Sequence, residues 1–200
     1  MRIAQRAVPL LHDYLLDSAQ RLPDKTALVC GADRLTYAAL DARSNALAHH
    51  LLDAGVQRGD RVVLFADNMP PTVIAFWAAL KANAIVSVVN PQTRSDKLHY
   101  MLQDCRPAAL VTDQPLYATF AEPARACASL KTTVVCGAID DEKLSRLPSA
   151  RGWDDALAGG RAGSPNACFR CKAGGTSATS AAIAPRTAAR CAGARSTGPG

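Results

Sequence analysis

Aromatic side chains are scarce in this 200-residue chain, and acidic ones stop well before its end. Phe169 is the only aromatic residue from Leu157 to Gly200, so that stretch offers no stacking platform for single-stranded nucleic acid. From Leu157 to Gly200 there is no Asp or Glu, while the same stretch carries six basic residues: Arg161, Arg170, Lys172, Arg186, Arg190 and Arg195. Residues 1–156 hold 17 basic and 17 acidic residues, so the net charge of +6 belongs to the tail alone. A long apolar run is also missing. Lys81 interrupts the uncharged stretch around the central helix well short of the ~20 residues a membrane span requires. His12 and Asp13 break the apolar N-terminal run before it reads as a signal peptide. No GxGxxG fingerprint follows any strand-like segment, which argues against a dinucleotide-binding oxidoreductase. Seven cysteines, an odd number at irregular spacing, give no disulfide framework and fit a reducing cytoplasm. Cys30, Cys105, Cys127 and Cys136 lie in or beside apolar elements, where a free thiol acts as a small hydrophobe. Cys168 and Cys171 form a CxxC, but no second pair or histidine stands near, and Cys191 alone cannot complete a tetrahedral zinc set.

What is present is organised around residues 59–91. Arg61 to Ala66 is a short apolar run bounded by Gly59-Asp60 and Asp67-Asn68, the pattern of a strand buried on both faces. Pro70 and Pro71 open a helix, where a missing N–H costs nothing. Val73, Ile74, Trp77 and Leu80 give that helix an apolar face. Lys81 falls in its last turn, at the negative end of the dipole, and Asn83 suits a left-handed stop. A second buried strand, Ile85 to Val89, ends at Asn90-Pro91. Two strands joined through a helix predict a parallel pair with a right-handed crossover.

The flanks read as alternating strands and helices. Leu10, Leu11, Tyr14, Leu15 and Ala19 line one side of a leading helix that ends near Arg21, before Pro23, and packs across the sheet. Thr26–Cys30 and Arg34–Tyr37 form a hairpin around Gly31-Ala32-Asp33. Ala38 to Ala54 is the longest helix, with Leu40, Leu47, Ala48, Leu51 and Leu52 on its apolar face and Gly55 closing it. His49 and His50 near its end are read as solvated or dipole-neutralising rather than metal-binding, since Asp53 alone accompanies them and no Cys or Glu does. Thr93 with Asp96 makes a capping-box pattern for a helix burying Leu98, Met101, Leu102 and Cys105. Strands follow at Ala108–Thr112 and Thr132–Cys136, separated by a helix interrupted near Pro123. Gly137 to Ala150 reads as polar loop, and Arg151 to Leu157 as a helical stub.

An ordered set of segments within residues 10–136 resembles the N-terminal portion of the acyl-adenylate-forming (AMP-binding) superfamily, which includes acyl-CoA synthetases and the adenylation domains of peptide synthetases. The segments are Leu35-Thr36-Tyr37 with Leu40, then Ser44-Asn45 and Leu47-Ala48. After them come Gly59-Asp60-Arg61-Val62, Leu80-Lys81-Ala82, and Asn90-Pro91 before Leu98, Tyr100, Leu102 and Asp104. Asn83 stands where the family usually has glycine, and Ala39 where glutamate is common. Asparagine tolerates the left-handed conformation, whereas Ala39 removes a capping-box partner for Thr36. The resemblance implies an α/β fold: a partial N-terminal subdomain of an acyl-CoA-synthetase-like fold with a mainly parallel sheet over residues 1–156, followed by a basic low-complexity tail over 157–200.

That tail has 12 Ala and 8 Gly against Leu157, Phe169 and Ile183 as its large apolar residues. Ordering its backbone costs about 1–2 kcal/mol per residue, which three buried side chains do not offset, so disorder is expected. The resembled family holds nucleotide phosphates with a Ser/Thr/Gly-rich loop ending in Pro-Lys-Gly, placed beyond the matched region. Gly174 to Ser180 has the small residues without that ending, and Ser196 to Gly200 lacks the lysine. The composition resembles GC-rich DNA read in a shifted frame, with the frame lost between about Gly159 and Cys168. The resemblance implies a parent that activates a small-molecule carboxylic acid with ATP and Mg²⁺ and passes the acyl group to coenzyme A or a carrier protein. No catalytic, cofactor-binding or metal residue is assigned in this chain, and it is expected to be inactive alone and cytoplasmic, with no specific nucleic-acid partner. The alternative is a non-catalytic α/β module whose cationic disordered tail binds anionic partners in a salt-sensitive way.

Overall fold

A computed structural model describes residues 10–159 and Pro165. Its centre is a five-stranded sheet in the order β4-β3-β5-β6-β7, with β3 at Arg61–Phe65, β4 at Ile85–Val88, β5 at Ala109–Asp113, β6 at Thr132–Cys136 and β7 at Ala150–Gly152. Every neighbouring pair is parallel. A separate antiparallel hairpin, β1 (Thr26–Cys30) and β2 (Asp33–Thr36), precedes it and turns at Gly31 with φ +58°. The expected mainly parallel α/β architecture is therefore what the chain adopts.

Helices cover both sheet faces, as an all-parallel sheet demands. One face carries α2 (Tyr37–Asp53), α3 (Pro70–Lys81) and α7 (Trp153–Ala158), packed on Val62, Leu64, Val111 and Val134. The other carries α4 (Ser95–Cys105) and α5 (Tyr117–Ala126), packed on Val63, Phe65, Leu110 and Val135. Alternation along each strand produces the two cores. The leading helix α1 (Leu11–Arg21) packs mainly against α2 and α3 rather than across the sheet. It buries His12 and Leu15, and leaves Leu10, Leu11 and Tyr14 exposed.

Local signals explain most boundaries. Thr36 caps α2 through Oγ1, which accepts from the Ala39 N–H at 3.2 Å, so the cap survives without its glutamate partner. Pro70 opens α3 as expected. Asn83 takes φ +56° beyond the helix end, and its carbonyl accepts the Gly59 N–H at 3.0 Å. Gly59 itself needs φ +84° there, which explains the glycine before β3.

Several expectations fail for physical reasons. The buried face of α3 is Ile74, Ala75, Ala78 and Ala79, whereas Val73, Trp77 and Leu80 are only half-buried. Small residues let α2 approach closely and push the larger ones to the flank. Strand β4 is not buried on both faces, because it forms the sheet edge and leaves Ile85 53% and Val88 64% exposed. The Thr93–Asp96 capping box does not form. Arg94 is the N-cap residue, without a side-chain cap, and the Thr93 N–H donates instead to the Asn90 carbonyl at 2.9 Å. Helix α5 runs through Pro123 without interruption, after a single 3-10 turn at Gln114–Leu116. It ends three residues later, so the proline removes little beyond one ladder bond. The loop expected over 137–150 contains the short helix α6 (Asp141–Ser145), and β7 occupies the start of the expected stub. Leu157 and Ala158, assigned to the tail, still belong to α7. The other tail expectations lie outside the described residues.

Candidate functional site

In an open parallel sheet the natural ligand crevice lies beyond the carboxyl ends of the strands, where strand order reverses. Here the chain goes from β3 to β4 on one side and then to β5 on the other, which puts the reversal between β3 and β5. The loop after β3 is Asp67-Asn68-Met69 and the residue ending β5 is Asp113. Across this reversal the Asp113 carboxylate accepts the Asp67 backbone N–H on Oδ2 at 2.9 Å. The Thr72 hydroxyl donates to the Asp67 carbonyl at 2.6 Å and fixes the other end of the loop. Cys136, beside Asp113 in the β5–β6 register, ends the next strand. Burial, and then the Asp113 charge, push its thiol up to about 12, so it is no nucleophile at neutral pH.

A crevice that presents two carboxylate-bearing residues and spends a backbone N–H on one of them repels phosphate. Among the described residues the loop after β3, Asp67-Asn68-Met69, carries neither glycine nor lysine. The residues at the reversal do not fit the phosphates of ATP.

A second concavity of about 470 Å³ opens beside it, at the carboxyl end of β4, lined by Asn90, Gln92, Thr93, Arg94, Asp96 and Lys97. The Asn90 side chain holds the loop by accepting the Gln92 N–H at 2.8 Å. Arg94 and Lys97 are opposed there by Asp96, and the cavity offers no further feature that selects a ligand.

The remaining candidates are quickly placed. His50 Nε2 lies 3.4 Å from Thr132 Oγ1, and burial, followed by the Arg151 charge, lowers its pKa despite Asp53. That is a half-buried packing role at the foot of the sheet, far from any ligand set. Among the described residues no group of three or more His, Cys, Asp and Glu could hold a metal ion. The CxxC at Cys168–Cys171, Cys191, and the segments Gly174–Ser180 and Ser196–Gly200 all lie outside the described residues.

Sequence reasoning missed the most concentrated polar site. Lys81, assigned to a helix dipole, is 1% exposed. Its Nζ donates to the Asp41 carbonyl at 3.0 Å, Asp41 Oδ1 at 2.6 Å, Ser44 Oγ at 2.7 Å and Asn45 Oδ1 at 2.8 Å. The available signal was the Ser44-Asn45 pair following Asp41 within α2.

Comparison with known proteins decides the family. The family model described as AMP-binding enzyme matches residues 15–184. The chain belongs to the AMP-binding enzyme family. A medium/long-chain-fatty-acid–CoA/3-oxocholest-4-en-26-oate–CoA ligase from Mycobacterium marinum is 39% identical over 104 residues, 52% of this chain and 18% of that protein. Bacitracin synthase 1 of Bacillus licheniformis is 32% identical over 141 residues, 68% of this chain and 2% of that protein. Among solved structures, a long-chain-fatty-acid CoA ligase from Rhodopseudomonas palustris superposes with TM-score 0.67 at 25% identity, covering 74% of this chain and 36% of that one. An anthranilate CoA ligase bound to anthranoyl-AMP shares the fold with TM-score 0.72, at 21% identity, covering 82% of this chain and 30% of that one. The AMP-binding chain thus spans a fifth or less of these curated relatives and about a third of these solved chains.

Proposed function

We propose that this chain is the N-terminal scaffold of an AMP-forming carboxylate-activating ligase and does not catalyse adenylation by itself. In the parent, ATP and a carboxylic acid give an acyl-adenylate and pyrophosphate, and the acyl group then passes to the thiol of coenzyme A or a carrier protein. One observation carries this reading. A chain with AMP-binding family membership folds a parallel sheet whose switch-point loop is tied by the Asp67 N–H to Asp113, and among the described residues no glycine-rich phosphate loop stands there. The scaffold supports a site that other parts of the parent must complete. We place the end of this scaffold after α7, at Ala158 rather than Ala156, with the basic tail beyond it.

No helix among the described residues is long and apolar enough to cross a membrane, which fits our assignment to the cytoplasm. The frame-loss proposal for the tail rests on its acid-free, Ala/Gly-rich composition. The family match continues to residue 184, across the interval where we place the loss. Sequencing the gene with its downstream flank tests it. An alternative frame encoding a glycine-rich loop ending in Pro-Lys-Gly supports the loss, and its absence refutes it.

Activity is tested by ATP–pyrophosphate exchange with the purified full chain across a panel of fatty, aryl and amino acids. No exchange above a protein-free blank is expected. Acid-dependent exchange would overturn the proposal.

A further inference from the structure

The buried ammonium between α2 and α3 does something the apolar core cannot. On α3 the buried face is largely alanine, with Ala75, Ala78 and Ala79 fully inaccessible. Ile74 on α3 and Leu40, Leu47 and Leu51 on α2 are the larger side chains buried in the same core. The alanines leave α3 few shape features of its own to oppose a shift along α2 by one turn, about 5.4 Å.

Lys81 does not tolerate that shift. Its four acceptors come from one stretch of α2, and they are themselves interlocked: Ser44 Oγ donates to the Asp41 carbonyl at 2.9 Å and Asn45 Nδ2 to Asp41 Oδ2 at 3.0 Å. One turn away, the ammonium would be buried without partners. Burial already lowers the Lys81 pKa, opposed by the hydrogen bond and charge of Asp41, so holding the charge here is itself costly.

We propose that Asp41, Ser44 and Asn45 form an ammonium cage on α2 that Lys81 fills as a tethered ligand. The cage is a register pin: it selects one axial setting of α3 against α2 and contributes specificity rather than net stability. Lys81 is accordingly a positioning residue, with no contact to any reacting group.

The test uses the full chain, melting temperature and residue-resolved amide exchange, with α4 and α5 as internal controls. In Lys81→Met/Asp41→Leu no charge is left buried alone. Its melting temperature should equal or exceed that of the parent chain, while amides of α2 and α3 exchange about tenfold faster and those of α4 and α5 do not change. Asp41→Asn, which leaves the ammonium without its anion, should lower the melting temperature by about 5 °C or more. Two outcomes overturn the proposal: α2 and α3 exchange in the double variant within twofold of the parent, or a melting temperature that falls with exchange rising equally on both faces. The double variant decides the matter even if Lys81→Met alone does not fold.

Discussion

The two faces of the sheet solve the same packing problem by different chemistry. On the α4–α5 face the helices meet through Leu98, Leu102, Phe120 and Ala124, with Phe120 and Tyr117 edge-on at 5.5 Å between ring centres. On the α2–α3 face α3 presents a smooth alanine surface, broken by Ile74, to the leucines of α2, with the Lys81 cation embedded beside it. Polar satisfaction differs as well. Every acceptor around Lys81 is engaged, whereas the buried hydroxyls of Thr112 and Thr133 have no hydrogen-bond partner. Both threonines share strand parity with Leu110 and Val135, which places them on the apolar face. Bulky side chains of distinct shape specify their own fit, so that face tolerates two orphan hydroxyls. A smooth seam needs a polar device to fix its setting.

This contrast can be broken from the apolar side first. Phe120→Ala should cost about 3–5 kcal/mol in urea denaturation, the usual cavity penalty for a fully buried aromatic. A loss under 1 kcal/mol would mean that the α4–α5 face collapses around the gap and is not shape-specified. Asn45→Ala should come next at about 2 kcal/mol, because it strips one acceptor from a buried ammonium and one donor from Asp41. If it proves neutral, the cage is looser than its distances imply.

Thr112→Val should run the other way, gaining up to about 1 kcal/mol, since it removes a desolvated hydroxyl that makes no bond. Destabilisation instead would reveal a hidden partner. The smallest effect is expected at Asp60–Lys131, paired at 2.8 Å on the surface. The Lys131 hydrogen bond, then the Gln57 backbone N–H, hold the Asp60 carboxyl below its ordinary value. A depressed carboxylate stabilises above its unfolded pKa, and that contribution is lost as pH falls through the lower folded value. Lys131→Met should therefore cost about 0.2–1 kcal/mol at pH 7, and its difference from the parent chain should vanish in strong acid. A penalty that persists below both pKa values would show that Lys131 acts through its hydrogen bond to the Gly55 carbonyl at 2.9 Å or through its aliphatic stem.

How much of this was legible depends on which force shaped each element. The βαβ core was readable from residues 59–91 because proline, glycine and unbroken apolar runs act locally. Asn83 was assigned its left-handed stop for the same reason, and φ +56° is what it adopts. Most of the wrong readings concern which surface meets which, while the Thr93–Asp96 cap and the break at Pro123 failed locally. Hydropathy picked Val73, Trp77 and Leu80 as the face of α3, and close helix packing chose the alanines. It read residues 85–89 as interior because nothing in those residues says they end the sheet. Strand β7 was missed since Ala-Arg-Gly has no strand pattern, and it forms only because β6 offers an edge. The crevice at Asp67 and Asp113 was equally invisible, as a switch point exists only once strand order is known.

Strand order also bears on how such a chain comes into being. Helix α3 returns β4 to β3 within a few dozen residues, and thereafter β5, β6 and β7 are laid down one after another on the opposite flank. No later strand must wedge itself between two that are already joined. During synthesis, which proceeds from the N-terminus at about 5–20 residues per second, each new strand finds a single growing margin. Among the described strands, those laid down up to β5 already form a contiguous three-stranded sheet, β4-β3-β5.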